Sequence, residues 1–377
     1  MVVNNKEIKV LISGGGTAGH INPALTIAKK IKEYYPNAKF LFVGTANGLE
    51  ARLVPQEGYE IKFIKVSGLI RKLSLQNLLI LRNAIKAVND SKKIIKNFKP
   101  DIVIGTGGYV SGPVIYAATK LKIKTAIHEQ NAFWGITTRF LAKRVDRIML
   151  SFPNSKKVKK NNKKVFITGN PIREEFLHID KHSARRVLDL DTRPLIFSYG
   201  GSGGANKINT AFCHMLSISK KEKLFNHIHG TGKRDYYDVL NYLKKENINI
   251  NNNDIRVLEY VYDMPRVMAA ADLVVCRSGA ITLAELAVLG KPSILIPSPN
   301  VTENHQYYNA KVFEDNKAAL IIEDKDLTGE LLYEKIKNLF INYDNIIAMS
   351  HNAKSLAIKD ANEKICKVIT ELLECRM

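Results

Sequence analysis

Short apolar runs alternate with longer amphipathic stretches through the first half of the chain. The runs predict buried strands at 8–12, 40–43, 61–66, 102–104 and 125–127. Helices are predicted between them: one at 75–98, one opening at Pro113, and one capped by Asn22 with Pro23 as its first residue. Strands that alternate with helices in this way are typical of a doubly wound parallel sheet.

The same alternation starts again after 168–171 (TGNP), which is predicted to be a linker. We therefore predict an α/β protein with two Rossmann-like, doubly wound parallel-sheet domains that face each other across a deep cleft. The expected boundaries are 1–172 and 173–355. Apolar runs predict the strands of the second domain at 195–198, 226–229, 256–260, 273–276 and 293–296. Apolar residues at helical spacing predict a final helix at 361–375.

Basic residues are concentrated in the first domain. The formal net charge of the 377-residue chain is +21, and residues 1–172 contain 30 Lys and Arg against 9 Asp and Glu, whereas the remainder contains 27 of each. This asymmetry predicts that the first domain faces something anionic, either nucleic acid or a phospholipid surface. The alternative is that the lysines serve solubility within a lysine-rich composition.

The four cysteines and nine histidines show no zinc-like spacing, and the cysteines form no C-x-x-C pair. We therefore expect no metal, no cofactor and no disulfide framework. Residues 1–10 carry charges at Lys6, Glu7 and Lys9 and lack the apolar core of a signal peptide. The apolar stretch 102–119 is interrupted by glycines and a proline, so any membrane contact is expected to be peripheral.

Glycine-rich turns follow the first strand of each predicted domain. Residues 14–19 (GGGTAG) match the G-x-G-x-x-G pattern that brings backbone amides to a diphosphate. An NAD site also needs an acid at the end of the second strand, but 44–46 reads GTA, which argues against NAD. Neither 200–204 (GGSGG) nor 230–233 (GTGK) completes a P-loop, which argues against ATP hydrolysis of that kind.

Five loops fall where parallel strands are expected to end, at 14–20, 105–113, 128–131, 200–205 and 277–285. Open α/β sheets bind ligands at the carboxyl ends of their strands, and several amide-rich helix starts suit a nucleotide diphosphate. One glycine turn could merely allow a tight connection. Five such loops favour a ligand site.

Seven sequence blocks occur in an order and spacing that resemble one family. They cover nearly the whole chain and are similar to the MurG family of bacterial peptidoglycan glycosyltransferases. The chain departs from some relatives at Ala18 and Gly203, which replace Gly and Gln, and at His305, where another Gln is often found. The blocks are 13–20 (SGGGTAGH), 107–113 (GGYVSGP), 128–131 (HEQN), 169–173 (GNPIR), 200–205 (GGSGGA), 276–280 (CRSGA) and 306–310 (QYYNA).

The resemblance implies a GT-B fold in which the C-terminal helix, at about 356–377, joins the first domain. It also implies an inverting transferase that moves GlcNAc from UDP-GlcNAc to the C4 hydroxyl of MurNAc in undecaprenyl-diphospho-MurNAc-pentapeptide, which converts lipid I to lipid II. The acceptor side is expected to include Gly108, Tyr109, Ser111 and His128. The donor is expected to contact Thr17, Ala18, Gly19, Asn131, Arg173, Ser202, Val261, Ala280, Ile281, Thr282, Leu283, Ala284, Glu285 and Gln306.

Inversion at the sugar C1 requires a base for the attacking hydroxyl and positive surroundings for the departing diphosphate. The helix starts after Gly19 and Gly204, together with Arg173, could supply the positive surroundings. His20 is the candidate base, because an imidazole has a suitable pKa. It could equally be a packing residue on the first helical turn.

Glu285 also has two interpretations. Thr282 and Glu285 fit the spacing of a capping box, in which Glu285 would cap a helix. We favour a contact with sugar hydroxyls, because the residues before Thr282 already supply a helix start. A structural role is favoured for His128, and His227 and His229 are interpreted as packing residues on one strand.

The membrane side is expected in the first domain. Residues 69–86 combine leucines and isoleucines with four basic residues, a pattern typical of an interfacial amphipathic helix. The alternative is a helix that buries one face in its own domain. The expected partners are UDP-GlcNAc, the undecaprenyl-diphosphate-linked acceptor, an anionic membrane surface and other cell-wall synthesis proteins. The expected location is the cytoplasmic face of the bacterial membrane.

Two rival functions follow from the same features. A UDP-GlcNAc 2-epimerase of the same fold would need the nucleotide sugar but no lipid, and the basic apolar segment and residues 108–113 argue against it. A nucleic-acid-binding protein would fit the charge. However, the basic run 156–164 lacks the interleaved aromatic residues that single-strand binders use, so no nucleic acid is expected.

Overall fold

Each half of the chain builds a parallel sheet with helices on both faces. The computed structural model describes residues 4–66, 76–153, 163–201, 203–250 and 254–375, and for 76–82 it describes the backbone alone. The chain divides into two compact units. Unit 1 consists of Met1–Ile172 together with Ile358–Met377, and unit 2 consists of Arg173–Ala357. The expected α/β class with two Rossmann-like parallel sheets is confirmed.

The described part of unit 1 forms a seven-stranded sheet in the order β3-β2-β1-β4-β5-β6-β7. Its strands are β1 Lys9–Ser13, β2 Lys39–Gly44, β3 Glu60–Phe63, β4 Ile102–Gly105, β5 Lys124–Glu129, β6 Arg147–Leu150 and β7 Val165–Ile167. Its helices in sequence order are α1 Ala18–Tyr34, α2 Glu50–Gln56, α3 Gln76–Phe98, α4 Ser111–Lys120 and α5 Ile136–Leu141. The apolar runs predicted five of these strands; β6 and β7 were not predicted.

Both faces of this sheet are buried, as its continuous apolar strands require. Val10 and Ile12 of β1 pack into a cluster with α1. Leu11 points to the other face and packs into a second cluster with α4. Alternate residues of one strand therefore anchor helices on both sides.

The predicted start of the first helix is wrong. Helix α1 begins at Ala18, and Pro23 lies inside it rather than at its first position. The chain passes from β1 into the helix through Gly16, whose φ is +85°, and the amides of His20 and Ile21 already bond the Thr17 carbonyl at 3.0 and 3.2 Å. Proline lacks an amide hydrogen, so the early start forgoes one helical hydrogen bond.

The described part of unit 2 forms a six-stranded parallel sheet in the order β10-β9-β8-β11-β12-β13. Its strands are β8 Leu195–Tyr199, β9 Asn226–Gly230, β10 Ile255–Leu258, β11 Leu273–Cys276, β12 Ser293–Leu295 and β13 Ala319–Ile321. Its helices are α6 Glu175–His178, α7 Lys181–Val187, α8 Asn206–Ser219, α9 Tyr236–Lys245, α10 Met264–Ala270, α11 Ala280–Leu289, α12 His305–Asp315, α13 Gly329–Ile341 and α14 Tyr343–Ser355, with a 3-10 turn at Thr302–Asn304.

The final helix, α15 (Ala361–Glu374), belongs to unit 1. Ile365 and Ile369 are buried in the same cluster as β1 and α1. Asn362 binds both backbone groups of Ile172: its Oδ1 accepts from the amide at 3.1 Å and its Nδ2 donates to the carbonyl at 2.8 Å. The segment 168–171 is buried rather than an exposed linker, and Ser151 Oγ donates to Asn170 Oδ1 at 2.6 Å.

Candidate functional site

The first glycine-rich turn lies between β1 and α1, at the carboxyl edge of the unit 1 sheet. A Cβ at Gly14 would lie 1.9 Å from Thr106 Oγ1, in the loop after β4, so only glycine allows this approach. Thr17 precedes α1, and Ala18 and Gly19 form its first residues, with Thr17 and Gly19 exposed and Ala18 partly exposed. Amides in such a position can receive an anion.

Glu50 holds this turn through hydrogen bonds from its buried carboxylate. The sequence did not predict this residue as part of the site. Its buried carboxylate accepts from the Gly16 amide at 3.1 Å and from the Thr45 amide and hydroxyl at 2.9 and 2.7 Å. Burial alone raises its pKa, but these hydrogen bonds outweigh it and lower the pKa. In the sequence, Glu50 stands six residues after the end of β2, whereas the acid of an NAD site is expected at the end of that strand.

His20 is half-buried on the first turn of α1, beside the loops that follow β4 and β5. Its Nδ1 lies 3.1 Å from the Thr106 carbonyl oxygen and 3.2 Å from Gln130 Oε1. The predicted acceptor-side residue His128 is buried, and both of its ring nitrogens are bonded, to Gln130 and to Gly169. His128 therefore supports the loop from inside the unit.

The other residues predicted for the acceptor side differ in their positions: two lie at the first glycine turn and one is buried. Gly108 has φ +79°, and a Cβ there would lie 2.2 Å from the Gly15 carbonyl oxygen. Tyr109 is exposed, and its ring lies against Gly16. Gly108 and Tyr109 therefore border the first glycine turn, whereas Ser111 is buried at the start of α4.

Asn131 is held by the buried carboxylate of Glu129, at the end of β5. Glu129 Oε1 accepts from the Asn131 amide at 3.1 Å and from its Nδ2 at 3.3 Å. Glu129 Oε2 accepts from the Gly135 amide at 3.0 Å and from the Thr138 hydroxyl at 2.6 Å. One carboxylate thus fixes the whole loop from Asn131 to α5.

The second glycine-rich turn lies between β8 and α8 in unit 2. Gly204 has φ +75°, and a Cβ there would lie 2.2 Å from the Thr231 carbonyl oxygen, so this turn packs directly on the loop after β9. Asn209 Nδ2 donates to the same carbonyl at 3.0 Å. Ser202, predicted to contact the donor, lies outside the described residues. Val261 is buried against Gly230.

Helix α11 carries the run predicted to bind the donor. Gly279 precedes it, Ala280, Leu283 and Glu285 are buried, and Ile281, Thr282 and Ala284 are partly exposed. Because the helix begins at Ala280, Glu285 lies on its second turn and makes no capping hydrogen bond.

The Glu285 carboxylate is instead paired with Arg173, with Oε1 and Nη2 3.5 Å apart. Burial raises the pKa of Glu285 to about 7, although Arg173 acts to lower it. The Arg173 guanidinium also lies over the Phe176 ring, 4.9 Å from its centroid. Unit 2 therefore holds a buried carboxylate that titrates near neutral pH beside an exposed cation.

Gln306 is the second residue of α12 and is hydrogen-bonded to the loops after β11 and β12. Its Oε1 accepts from the Ser298 amide at 2.9 Å, and its carbonyl accepts from the Ser278 hydroxyl at 2.8 Å. Arg277 donates to the Ile296 carbonyl at 3.2 Å. In unit 2 the structure therefore brings the predicted blocks 276–280 and 306–310 together.

Among the described residues, no group of three or more His, Cys, Asp or Glu is placed to hold a metal ion.

Comparison with known proteins gives consistent matches across both units. The glycosyltransferase family 28 N-terminal domain matches residues 10–150, and the C-terminal domain of the same family matches residues 195–365. The chain is 46% identical, over 97% of its length and 99% of the relative, to the UDP-N-acetylglucosamine–N-acetylmuramyl-(pentapeptide) pyrophosphoryl-undecaprenol N-acetylglucosamine transferase of Acetivibrio thermocellus.

Solved structures agree with this assignment. The crystal structure of Acinetobacter baumannii MurG covers 97% of this chain and 99% of its own, with 27% identity and a TM-score of 0.78. A UDP-GlcNAc 2-epimerase from Neisseria meningitidis, solved with UDP-GlcNAc bound, has a TM-score of 0.65 but only 14% identity, over 97% of this chain and 100% of its own, so it shares the fold alone. The chain therefore belongs to the MurG family of glycosyltransferase family 28, as the seven sequence blocks predicted.

Proposed function

We propose that this protein transfers GlcNAc from UDP-GlcNAc to the C4 hydroxyl of MurNAc in undecaprenyl-diphospho-MurNAc-pentapeptide, with inversion at C1. The observation that carries this proposal is the 46% identity to an N-acetylglucosamine transferase across 97% of the chain, because it includes both units rather than the nucleotide-binding half alone.

Unit 2 binds the donor. The start of α8 after the second glycine turn directs backbone amides toward a diphosphate, and Arg173 adds a positive charge. Glu285 and Gln306 present oxygen acceptors that suit sugar hydroxyls. In this assignment the Arg173–Glu285 pair is rearranged when the donor binds, because both partners turn to the ligand.

Unit 1 meets the acceptor, and His20 is the base. The attacking hydroxyl transfers its proton to the imidazole as its oxygen bonds to C1, and the bond from C1 to the diphosphate oxygen breaks with its electron pair leaving on UDP. Gly108 and Tyr109 border the same glycine turn and contact the acceptor. Thr17, Ala18, Gly19 and Asn131, which are expected to contact the donor, lie at the carboxyl edge of the same sheet.

The membrane surface is the partner of unit 1. In the part of the chain that the structure describes, no helix is both long and apolar enough to cross a bilayer. The exposed side chains of Phe140 and Ile136 lie on α5. Arg144 packs over Phe140, 4.8 Å from the ring centroid, and Lys120 packs over Tyr116 at 5.6 Å. Apolar rings surrounded by cations are typical of an interfacial surface.

The predicted amphipathic segment 69–86 includes the first part of helix α3, which packs on the helix next to this surface. Residues 67–75 lie outside the described residues, and of 76–82 only the helical backbone is described, at the start of α3. Helix α3 packs against α4, which carries Tyr116 and Lys120. We therefore assign the exposed side chains of α5 and the predicted amphipathic segment to one membrane-facing region of unit 1.

The test supplies UDP-GlcNAc with and without a lipid I analogue and measures UDP release and sugar products. The proposal predicts release of UDP that depends on the analogue and a new β-linked disaccharide. Formation of ManNAc from UDP-GlcNAc without an acceptor would establish the epimerase instead and overturn the proposal.

A further inference from the structure

Three side chains of unit 1 form a hydrogen-bonded chain whose direction can be worked out from its buried end. His128 Nε2 lies 2.9 Å from the Gly169 carbonyl oxygen. A carbonyl oxygen can only accept, so Nε2 carries the hydrogen. Burial lowers the pKa of His128 to about 4, so the ring is neutral and its Nδ1 keeps a lone pair.

Gln130 continues the chain in one orientation only. Its Nε2 lies 3.2 Å from the His128 carbonyl oxygen and 3.0 Å from His128 Nδ1, and both of these atoms are acceptors. The amide nitrogen must therefore face His128, and it donates one hydrogen to each. The amide oxygen then faces the other way, toward His20.

The chain ends on the candidate base. His20 Nδ1 lies 3.2 Å from Gln130 Oε1 and 3.1 Å from the Thr106 carbonyl oxygen, and neither atom can donate. Nδ1 must therefore carry the hydrogen, and in the neutral ring the lone pair is on Nε2.

We propose that Gln130 and His128 are positioning residues that fix the tautomer of His20, so that Nε2 is the atom that receives the proton of the attacking hydroxyl. This inference rests on the proposed role of His20 as the base. When Nε2 is protonated, the imidazolium still donates its Nδ1 hydrogen to two neutral oxygens, which stabilises the positive charge that the step creates.

Backbone contacts hold the His20 ring against this chain. Thr106 Oγ1 donates to the His20 carbonyl oxygen at 2.8 Å, which anchors the first turn of α1. Gly107 has φ +98°, and a Cβ there would lie 2.6 Å from His20 Nδ1 and 3.4 Å from Gln130 Oε1. The absence of a side chain at Gly107 thus lets the ring and the amide approach each other.

The first measurement reads the tautomer directly, without turnover. Full-length protein carrying 15N-labelled histidine is examined by long-range 1H–15N NMR at a pH where His20 is neutral, and the His20 signals are identified from their loss in His20→Gln. The expected spectrum has the hydrogen of His20 on Nδ1. A hydrogen on Nε2 in the wild-type protein would overturn the proposal.

The second measurement separates positioning from folding. Gln130→Met removes both the donor and the acceptor of the amide but leaves the Thr106 carbonyl, so we expect a mixture of His20 tautomers and a kcat lowered about tenfold, the effect of one hydrogen bond. The donor KM should change less than twofold. Gln56→Met, at an exposed position of α2, is the matched control and should leave kcat unchanged.

Gln130→Glu tests the direction of the chain. It keeps an acceptor for His20 Nδ1, so the Nδ1–H tautomer should be retained, and its charge should shift the acidic limb of the kcat profile to higher pH. An unchanged tautomer and kcat in Gln130→Met would overturn the proposal. If the tautomer is as expected but His20→Gln keeps full turnover, the base assignment fails while the hydrogen-bonded chain stands.

Discussion

We predict that removing the charge of Glu285 raises the stability of the protein but weakens its use of the donor. It is buried on α11, 3.5 Å from Arg173 Nη2, and burial raises its pKa from an ordinary 4.5 to about 7 despite the opposing effect of Arg173. Glu285→Gln preserves the shape of the side chain and removes its charge. The substitution therefore isolates the consequences of ionisation.

The effect on stability follows from the raised pKa. Between about pH 4.5 and 7 Glu285 keeps a proton in the folded protein that it has lost in the unfolded chain, so its contribution to the free energy of unfolding falls as the pH rises through this window and stays low above it. The difference between the two pKa values corresponds to about 3 kcal/mol. Glu285→Gln should therefore stabilise unit 2 by up to about 3 kcal/mol at pH 8, and most of this gain should disappear at pH 5.

The effect on donor use has the opposite sign. A carboxylate accepts stronger hydrogen bonds from hydroxyls than an amide does, and losing a charged acceptor costs about 1.5–3 kcal/mol. We expect the KM for UDP-GlcNAc to rise roughly ten- to a hundredfold in Glu285→Gln at pH 8. In the wild type the KM should rise as the pH falls below 7, and the variant should lose this dependence.

The assay measures Tm at pH 5 and 8 and donor KM from pH 6 to 8.5, with a soluble acceptor analogue. Glu259→Gln, at an exposed position of unit 2, is the control and should change neither quantity. A lower Tm for Glu285→Gln at both pH values would show that the carboxylate stabilises the fold. An unchanged KM would remove Glu285 from the donor site.

Three further predictions concern other side chains. Gln306→Ala removes the oxygen that accepts from the Ser298 amide and a candidate donor contact, so the KM for UDP-GlcNAc should rise about tenfold with Tm changed little. Lys291→Met should lower the free energy of unfolding by about 1 kcal/mol in denaturant titration at pH 10, because the buried amine donates to two backbone carbonyls that would lose their partner. Burial lowers the pKa of Lys291 to about 7, so this loss should shrink as the pH falls from 10 toward neutral, where the substitution also removes the cost of the buried amine. Phe140→Ser should weaken binding to anionic vesicles and transfer to a long-chain acceptor, yet spare transfer to a short-chain analogue, because only the membrane contact is lost.

Each of these predictions has a contradicting result, and those for Lys291 and Phe140 also have a matched control. If Tm falls with activity in Gln306→Ala, the residue is needed for the fold rather than for the donor. Lys244→Met, at an exposed position of α9, should leave stability unchanged, and equal stability of Lys291→Met would show that the carbonyls find other partners. Tyr237→Ser changes an exposed aromatic residue of unit 2, and equal loss of vesicle binding in both variants would exclude α5 as the membrane surface.

Strand positions were predictable because parallel strands buried on both faces form continuous apolar runs. The run 273–276 coincides with β11, and 195–198 falls one residue short of β8. The start of α1 was not predictable from the capping signal, since Asn22 and Pro23 read locally as a helix start. The glycine turn and the Thr17 carbonyl decide the start instead.

At the candidate site, the buried carboxylates likewise could not be predicted from the sequence. Glu50 and Glu129 are acidic residues near the ends of predicted strands, but the sequence around them does not show that their carboxylates are buried. They hold Gly16 and Asn131 only because α2 and β5 place their carboxylates under those loops. A buried charge needs such hydrogen-bond partners, and for Glu50 one of them is remote in sequence, because Gly16 and Glu50 are 34 positions apart.

The sequence by itself determined the parallel α/β class, the two glycine-rich turns and the family, because apolar periodicity and glycine motifs are local and recur in a fixed order. Only the tertiary structure decided which groups meet. Gln130 lies 110 residues from His20, and the direction of its amide follows from two carbonyl oxygens that neighbouring strands and loops provide. Hydrogen-bond direction, burial and the resulting pKa depend on partners that are remote in sequence, so they exist only in the folded chain.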